Sequence, residues 1–127
     1  MSDIRFVATD SAPKAIGPYS QGVIANGFLY TAGQIALDPA TMEVVPGGVT
    51  AQTERVMQNL DAILKAAGSS LSRVVKATCF LATMDDFTRM NEVYARWFGD
   101  HKPARSTVAV KTLPKSVLVE IDVVALV

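Results

Sequence analysis

The sequence predicts an α+β fold in which a mixed β-sheet carries two helices on one face. Two observations support this prediction. Runs of β-branched and aromatic residues occur on both sides of two stretches with helical periodicity. In addition, 50% of the 127 residues are hydrophobic, which is enough apolar material for one buried core. We therefore expect a single domain that spans residues 1–127.

The first third of the chain is predicted to form strands. Ile4–Thr9 alternates as a strand does and is followed by a loop rich in proline and glycine. An Asn-Gly pair at positions 26 and 27 separates the β-prone runs Val23–Ala25 and Phe28–Ala32. Because Asn-Gly is the strongest short hairpin signal, these two runs are expected to pair with each other.

The middle of the chain is predicted to form a helix and then a strand. The helical pattern extends from about Val49 to Ala67, with Thr50 or a neighbour as the N-cap, Gly68 as the stop and Gln52 on the outward face. Arg73–Ala82 follows and contains few polar residues. This composition is typical of a central strand that is buried on both faces.

A second helix and two strands complete the predicted fold. The helix begins at Asp85 or Asp86 and is closed by Gly99. The final β-prone runs are Arg105–Lys111 and Val117–Val127. With both helices packed on one side of the sheet, this order of elements gives an α+β layered domain.

The last strand has two largely apolar faces. By alternation, Val119, Ile121 and Val123 point to one side, whereas Glu120 and Asp122 share the other side with further apolar residues. Two helices can cover only one face of the sheet. An uncovered apolar face is typical of an interface, so we expect a homo-oligomer with a functional site at the subunit boundary.

Composition restricts the class of protein. Twelve basic and twelve acidic residues cancel, so no net field would attract nucleic acid or an anionic membrane. No apolar run is long enough to span a bilayer, and Asp3 and Arg5 interrupt the start of the chain where a signal peptide would be apolar. The single cysteine, Cys79, excludes an internal disulfide and suits a reducing compartment. We expect a soluble cytoplasmic protein with no membrane, nucleic-acid or metal partner.

Two charged residues in β-prone runs are the main candidates for function. Burying an unpaired charge is costly, so such residues are usually paired or face a ligand. Arg105 either grips the carboxylate of a small molecule or pairs with a neighbouring carboxylate at a sheet edge. Glu120 either exchanges protons in apolar surroundings that raise its pKa, or lies in solvent or in a salt bridge across a subunit contact.

Four other residues receive weaker predictions. Tyr19, between glycines, lines a pocket or anchors its loop, and Gly33 allows close approach of a ligand or forms a bulge. Cys79 lies within an apolar strand and is expected to be an inert core thiol. His101 is the only histidine and has no nucleophile motif near it, which argues against a catalytic triad.

The sequence resembles the RidA (YjgF-like) family of imine and enamine deaminases over nearly its whole length. The segments that carry the resemblance are Ala15–Gln21, Thr31–Ile35, Asn91–Tyr94, Pro103–Ser106, Leu113–Lys115 and Val119–Ile121. The resemblance implies a chorismate-mutase-like (YjgF-like) fold, assembled as a homotrimer whose sheets form a central barrel. It also implies hydrolysis of reactive 2-imino acids, which arise from pyridoxal-phosphate dehydratases, to 2-oxo acids and ammonia. The sites would lie between subunits and use no cofactor.

The resemblance also implies roles for individual residues. Arg105 would bind the substrate carboxylate, and Glu120 would activate water and move protons. Tyr19 would line the pocket, the backbone at Gly33 would meet the imine nitrogen, and Asn91 would make a supporting contact.

The resemblance has one departure, because Thr107 stands where many family members have cysteine. We expect this position to act through its backbone amide, since no general base is evident that would activate a nucleophile there.

Other functions are known for this fold and stay open at the level of sequence. Related proteins act as translation inhibitors with ribonuclease activity, as chaperone-like holdases, or as metabolite binders without turnover. The sequence offers little support for RNA cleavage, because it has zero net charge, one histidine and no basic-aromatic array.

Overall fold

The computed structural model describes residues 3–127, and a six-stranded mixed sheet lies at the centre of this part of the chain. Its strands and helices are β1 (Ile4–Val7), β2 (Gly22–Ala25), β3 (Phe28–Thr31), α1 (Val49–Ala66), β4 (Val74–Leu81), α2 (Phe87–Phe98), β5 (Ala104–Ala109) and β6 (Val119–Leu126). The strand order is β1-β2-β3-β6-β4-β5, with β4 and β5 parallel and the other neighbours antiparallel. The prediction of an α+β fold with a mixed sheet and two helices is confirmed.

The predicted hairpin forms around Asn26 and Gly27. Both residues have a left-handed backbone, with φ values of 52° and 83°. This is the geometry of the two-residue turn whose twist matches that of paired strands. β2 and β3 therefore pair as expected, and β3 continues the sheet onto β6 through the pair Tyr30 and Val124.

Helix α1 follows its predicted bounds but not its predicted cap. Gly48, two residues before Thr50, occupies the N-cap position, and no side chain caps the helix, so the expected side-chain cap from Thr50 or a neighbour is absent. The end is as predicted. Gly68 adopts a left-handed φ of 79° and the N–H of Ser69 donates to the carbonyl of Leu64 at 2.8 Å, which together satisfy the last carbonyls of the helix.

The prediction that Gln52 faces outward is wrong. Its side chain is buried, and its Oε1 accepts the N–H of Leu118 at 2.8 Å. The reason is its spacing, because Gln52 lies four and eight residues before the buried Val56 and Leu60 and shares their face. Its polarity suggested the outer face, but a single hydrogen bond to the chain that leads into β6 satisfies its carbonyl oxygen.

Strand β4 is an inner strand, and residues 3–127 bury one of the two faces that were predicted to be buried. Ala77, Cys79 and Leu81 are fully buried, whereas Thr78 and Phe80 on the other face are only half-buried. The helices pack on the first face alone, and nothing within residues 3–127 covers the second. The apolar composition of β4 therefore reflects one core face and one open face.

Helix α2 begins at Phe87, after a 3₁₀ turn over Met84–Asp86, and thus close to its predicted start. Its inner face buries Met90, Tyr94 and Phe98. None of the helices within residues 3–127 is long and apolar enough to cross a bilayer.

The open face of the sheet is apolar, as the alternation in the last strand predicted. The register aligns Phe6, Tyr30 and Val124 on this face, and Phe6 is 75% exposed. Phe80 and Val108 form a second row there with Glu120. Within residues 3–127 no element packs over these rows, which is typical of a face that a partner covers.

Candidate active site

Arg105 is held in place by helix α2. Its partner in the sheet is Ala77, which is buried beneath the helices, so Arg105 points to the helix side of β5. Its Nη1 donates to Oδ1 of Asn91 at 2.6 Å. The guanidinium also lies over the rings of Tyr94 and Phe87, at 4.8 Å and 5.4 Å from their centroids. These contacts fix the direction of the charged group.

The guanidinium faces a cleft that has no acidic residue in its lining. This arginine cleft encloses about 410 Å³, and its polar lining residues within residues 3–127 are Asn91, Tyr94, His101, Lys102 and Arg105. No carboxylate within residues 3–127 lies in ion-pair contact with Arg105. A positive group that is oriented but not neutralised is suited to bind an anion, and its planar fork of N–H donors matches a carboxylate.

Thr107 contributes an open backbone amide next to Arg105. The N–H of Val110 donates to the carbonyl of Leu81 in β4 at 2.9 Å. Because backbone groups point alternately to the two sides of a strand, the N–H of Thr107 points away from β4. Strand β5 is the edge of the sheet formed by residues 3–127, so this amide is available to a ligand or a partner chain. The side chain of Thr107 lies on the helix side, beside Cys79.

Glu120 lies against Gly33 on the opposite side of the molecule from the helices. Gln34 exchanges two backbone hydrogen bonds with Ile121, at 2.8 Å and 3.1 Å, whereas Tyr30 pairs with Val124. The chain advances four residues from Tyr30 to Gln34, whereas β6 advances only three from Val124 to Ile121. The extra residue forms a bulge that brings Gly33 over Glu120. A Cβ at Gly33 would lie 2.8 Å from Cδ of Glu120. The absence of a side chain at Gly33 makes room for the carboxylate.

The surroundings of Glu120 favour its protonated form. Burial raises its pKa, and the neighbouring carboxylate of Asp122 raises it further. The pKa of Asp122 is itself raised by burial, an effect that the ammonium group of Lys76 partly offsets. Glu120 and Asp122 share one strand face, as predicted, and Glu120 is poised to take up and release a proton at a higher pH than an ordinary glutamate.

A second cavity of about 450 Å³, here named the glutamate cleft, opens onto Glu120. Its lining includes Tyr19, Gly33, Ile35, Met42 and Lys115. Tyr19 is 53% exposed, so its ring is a wall of the cleft and does not belong to the core.

Three buried amides hold the loops around the glutamate cleft, and no local pattern in the sequence indicated their role. Gln21 accepts the N–H of Thr9 and donates to the carbonyls of Thr9, Ala12 and Pro13. Asn59 donates to the carbonyls of Ile35 and Leu37. Gln52 binds the chain before β6 as described above. Buried polar groups with several partners fix one backbone conformation.

The histidine and the cysteine take structural positions. Nε2 of His101 lies 2.6 Å from the carbonyl of Val74, so this nitrogen carries the proton. Burial raises the pKa of Cys79 to about 11, which keeps the thiol protonated and unreactive, as predicted. No cluster of three or more metal-ligating side chains occurs within residues 3–127.

The two clefts do not meet within one chain. Arg105 pairs with Ala77 and Glu120 with Phe80. Since Ala77 and Phe80 are three residues apart in β4, their side chains and those of their partners point to opposite faces of the sheet. The structure thus brings Arg105, Asn91 and Thr107 together, and Glu120, Gly33 and Tyr19 together. It separates these two groups.

The comparison with known families supports the resemblance that the motifs indicated. Residues 9–127 match the sequence model described as Endoribonuclease L-PSP, which represents the YjgF/RidA proteins. The chain belongs to the RidA family. A RutC family protein of Pyrococcus horikoshii is 54% identical over 125 residues, which are 98% of each chain. The 2-iminobutanoate/2-iminopropanoate deaminase of Capra hircus is 45% identical and aligns over 95% of this chain and 88% of its own.

Solved structures of RidA-like proteins share the fold. The crystal structure of E. coli TdcF with bound serine is 40% identical and has a TM-score of 0.92. The alignment covers 97% of this chain and 98% of that one. The chain therefore has the RidA fold over almost its entire length.

Proposed function

We propose that the protein hydrolyses 2-imino acids to 2-oxo acids and ammonia. The observation that carries the proposal is Arg105, an oriented guanidinium without a carboxylate partner within residues 3–127. The Capra hircus relative named as a deaminase of two such imino acids supports the substrate class. So does the bound serine of E. coli TdcF, since serine carries a carboxylate and a nitrogen on the same carbon.

Binding begins at the carboxylate of the substrate. Arg105 has N–H donors beyond the one that Asn91 occupies, and two of them can bind both oxygens of a carboxylate in parallel. The outward N–H of Thr107 is a further donor on the same strand edge. Together these groups fix one end of the substrate, which is the main requirement when the reacting carbon is already electrophilic.

Hydrolysis then needs one group that moves protons, and we assign this role to Glu120. With the imine nitrogen protonated at the outset, the carboxylate of Glu120 accepts a proton from water as the water oxygen bonds to C2 and the π electrons of the C=N bond move to nitrogen. The protonated Glu120 returns that proton to the nitrogen. The C–N bond then breaks with its electron pair on ammonia, an oxygen lone pair forms C=O, and Glu120 transfers the hydroxyl proton to ammonia. The net reaction consumes one water and yields a 2-oxo acid and ammonium.

A site with both groups requires two subunits. The arginine and glutamate clefts lie on opposite faces of the sheet, so we propose that each active site joins the arginine cleft of one chain to the glutamate cleft of the next. The apolar row of Phe6, Tyr30 and Val124 on the open face supports an assembly that covers this face. The family resemblance favours a closed ring of three subunits, in which such a head-to-tail contact can repeat.

A hydrolysis assay tests the proposal directly. An amino acid oxidase generates 2-iminobutanoate or 2-iminopropanoate, semicarbazide traps the free imine, and loss of trapped product reports enzymatic hydrolysis. We expect wild type to suppress trapping and Arg105→Ala to have no effect, with sedimentation and circular dichroism showing that the variant still folds and assembles. Full activity in an assembled Arg105→Ala protein would rule out the carboxylate clamp.

A further inference from the structure

Left-handed backbone at non-glycine residues is concentrated at the glutamate cleft. Within residues 3–127, positive φ values at non-glycine residues occur at Asn26, Met42, Lys115 and Ser116. Asn26 belongs to the hairpin turn that requires it. Met42 and Lys115 both line the glutamate cleft. A left-handed conformation is unfavourable for a residue with a long side chain and is a reason to look for a function of that side chain.

The conformation of Met42 is imposed by a tight turn. Leu37 and Val44 form a bridge between antiparallel segments, and the N–H of Asp38 donates to the carbonyl of Glu43 at 2.9 Å. The N–H of Met42 then closes the turn on the carbonyl of Asp38 at 2.7 Å. A turn of this length needs a residue with φ near 60° before the chain resumes pairing, and glycine is the residue that meets this need without steric cost.

The side chain of Met42 has a place in the cleft that glycine could not fill. Met42 is half-buried and lines the same cavity as Glu120 and the apolar or aromatic side chains of Tyr19, Ile35 and Leu37. A thioether is flexible and fills irregular gaps against apolar groups. The turn therefore carries a large apolar side chain at the one position where its backbone geometry favours none.

We propose that Met42 is a specificity residue, which forms the wall of a subsite for the side chain of the substrate and favours 2-imino acids with unbranched apolar chains longer than methyl. The inference rests on the proposed function. In the proposed site Arg105 holds the carboxylate and Glu120 faces C2, and the apolar side chains beside Met42 suit the remaining, apolar substituent of C2. Each methylene that becomes buried there raises kcat/KM by up to about fourfold.

The test compares substrates of different length. For wild type, Met42→Gly and Met42→Asn, kcat/KM is measured with 2-iminopropanoate and with 2-iminohexanoate. We expect wild type to prefer the longer substrate and both variants to lose about tenfold of that preference. Because glycine and asparagine both adopt left-handed backbone readily, the two variants should keep a Tm no lower than that of wild type.

Asn26→Gly is the matched control, since it changes a left-handed residue outside both clefts and should leave the preference for chain length unchanged. An unchanged or increased preference for 2-iminohexanoate in the Met42 variants would overturn the proposal.

Calorimetric titration with 2-oxopropanoate and 2-oxohexanoate gives a second measurement that needs no turnover. If no imine is hydrolysed, the proposed function fails. The subsite is still supported if affinity for the 2-oxo acid rises with chain length in wild type and this rise is lost in the Met42 variants. Affinities that do not depend on Met42 would refute it.

Discussion

The arginine cleft and the glutamate cleft are built in different ways. Arg105 stands on β5 and is oriented by three side chains of α2, so regular secondary structure determines its position. Glu120 stands on β6, but most other walls of its cleft are loops, which buried amides and left-handed residues hold in place. A scaffold of strand and helix suits the carboxylate that all of the proposed 2-imino acid substrates have in common. Loops suit the side chain that differs between substrates.

The largest expected effect tests whether the two clefts belong to one active site. Arg105→Ala and Glu120→Gln should each reduce kcat/KM by about 1000-fold or more, because each removes a charged group that has no substitute. If the clefts of neighbouring subunits combine as proposed, random mixed oligomers of the two inactive variants should recover about a quarter of wild-type activity. Mixed oligomers that stay inactive would contradict a site shared between subunits.

Gly33→Ala should have the next largest effect, on the glutamate cleft alone. The added Cβ would collide with the carboxylate of Glu120 and displace it, so kcat should fall by about 10- to 100-fold. Gly48→Ala is the matched control, because a Cβ at Gly48 meets no atom within 4 Å. Equal activity of Gly33→Ala and wild type would show that the position of this carboxylate is unimportant for turnover.

Substitutions at Asn91 should affect the arginine cleft more mildly. Loss of its hydrogen bond in Asn91→Ala frees the guanidinium, which should raise KM about fivefold with little change in kcat. Asn91→Asp keeps the shape but supplies a carboxylate that competes with the substrate for Arg105, so its KM should rise further. The order of the two KM values is the critical result. A lower KM for the aspartate variant would contradict the role of Arg105 as a carboxylate site.

The smallest effect is a shift in pH dependence at the glutamate cleft. Glu120 must be ionised to accept a proton from water, and its raised pKa means that activity falls at low pH sooner than for an ordinary glutamate. Asp122→Asn removes a negative charge that raises this pKa, so the acidic limb of the kcat/KM profile should move to lower pH. Asp61→Asn, which alters an ion pair on α1, should not move it. A limb that moves to higher pH in Asp122→Asn would contradict the assignment to Glu120.

Local patterns were sufficient for most of the fold. Periodicity located both helices, the Asn-Gly pair located the hairpin, and alternation in the last strand predicted both the open apolar face and the shared face of Glu120 and Asp122. These features depend on neighbours in sequence, which is why they can be read from it. Gln52 was misjudged because polarity is a property of the residue, whereas its burial depends on what packs against it.

The sequence by itself determined the family and predicted the candidate residues of the site, because short motifs in a fixed order carry that information. Only the tertiary structure decided how these residues are grouped. Strand register places Arg105 and Glu120 on opposite faces of the sheet, and it depends on pairings between residues far apart in the chain. The bulge that brings Gly33 onto Glu120 and the turn that holds Met42 in the cleft likewise arise from contacts that no local pattern contains.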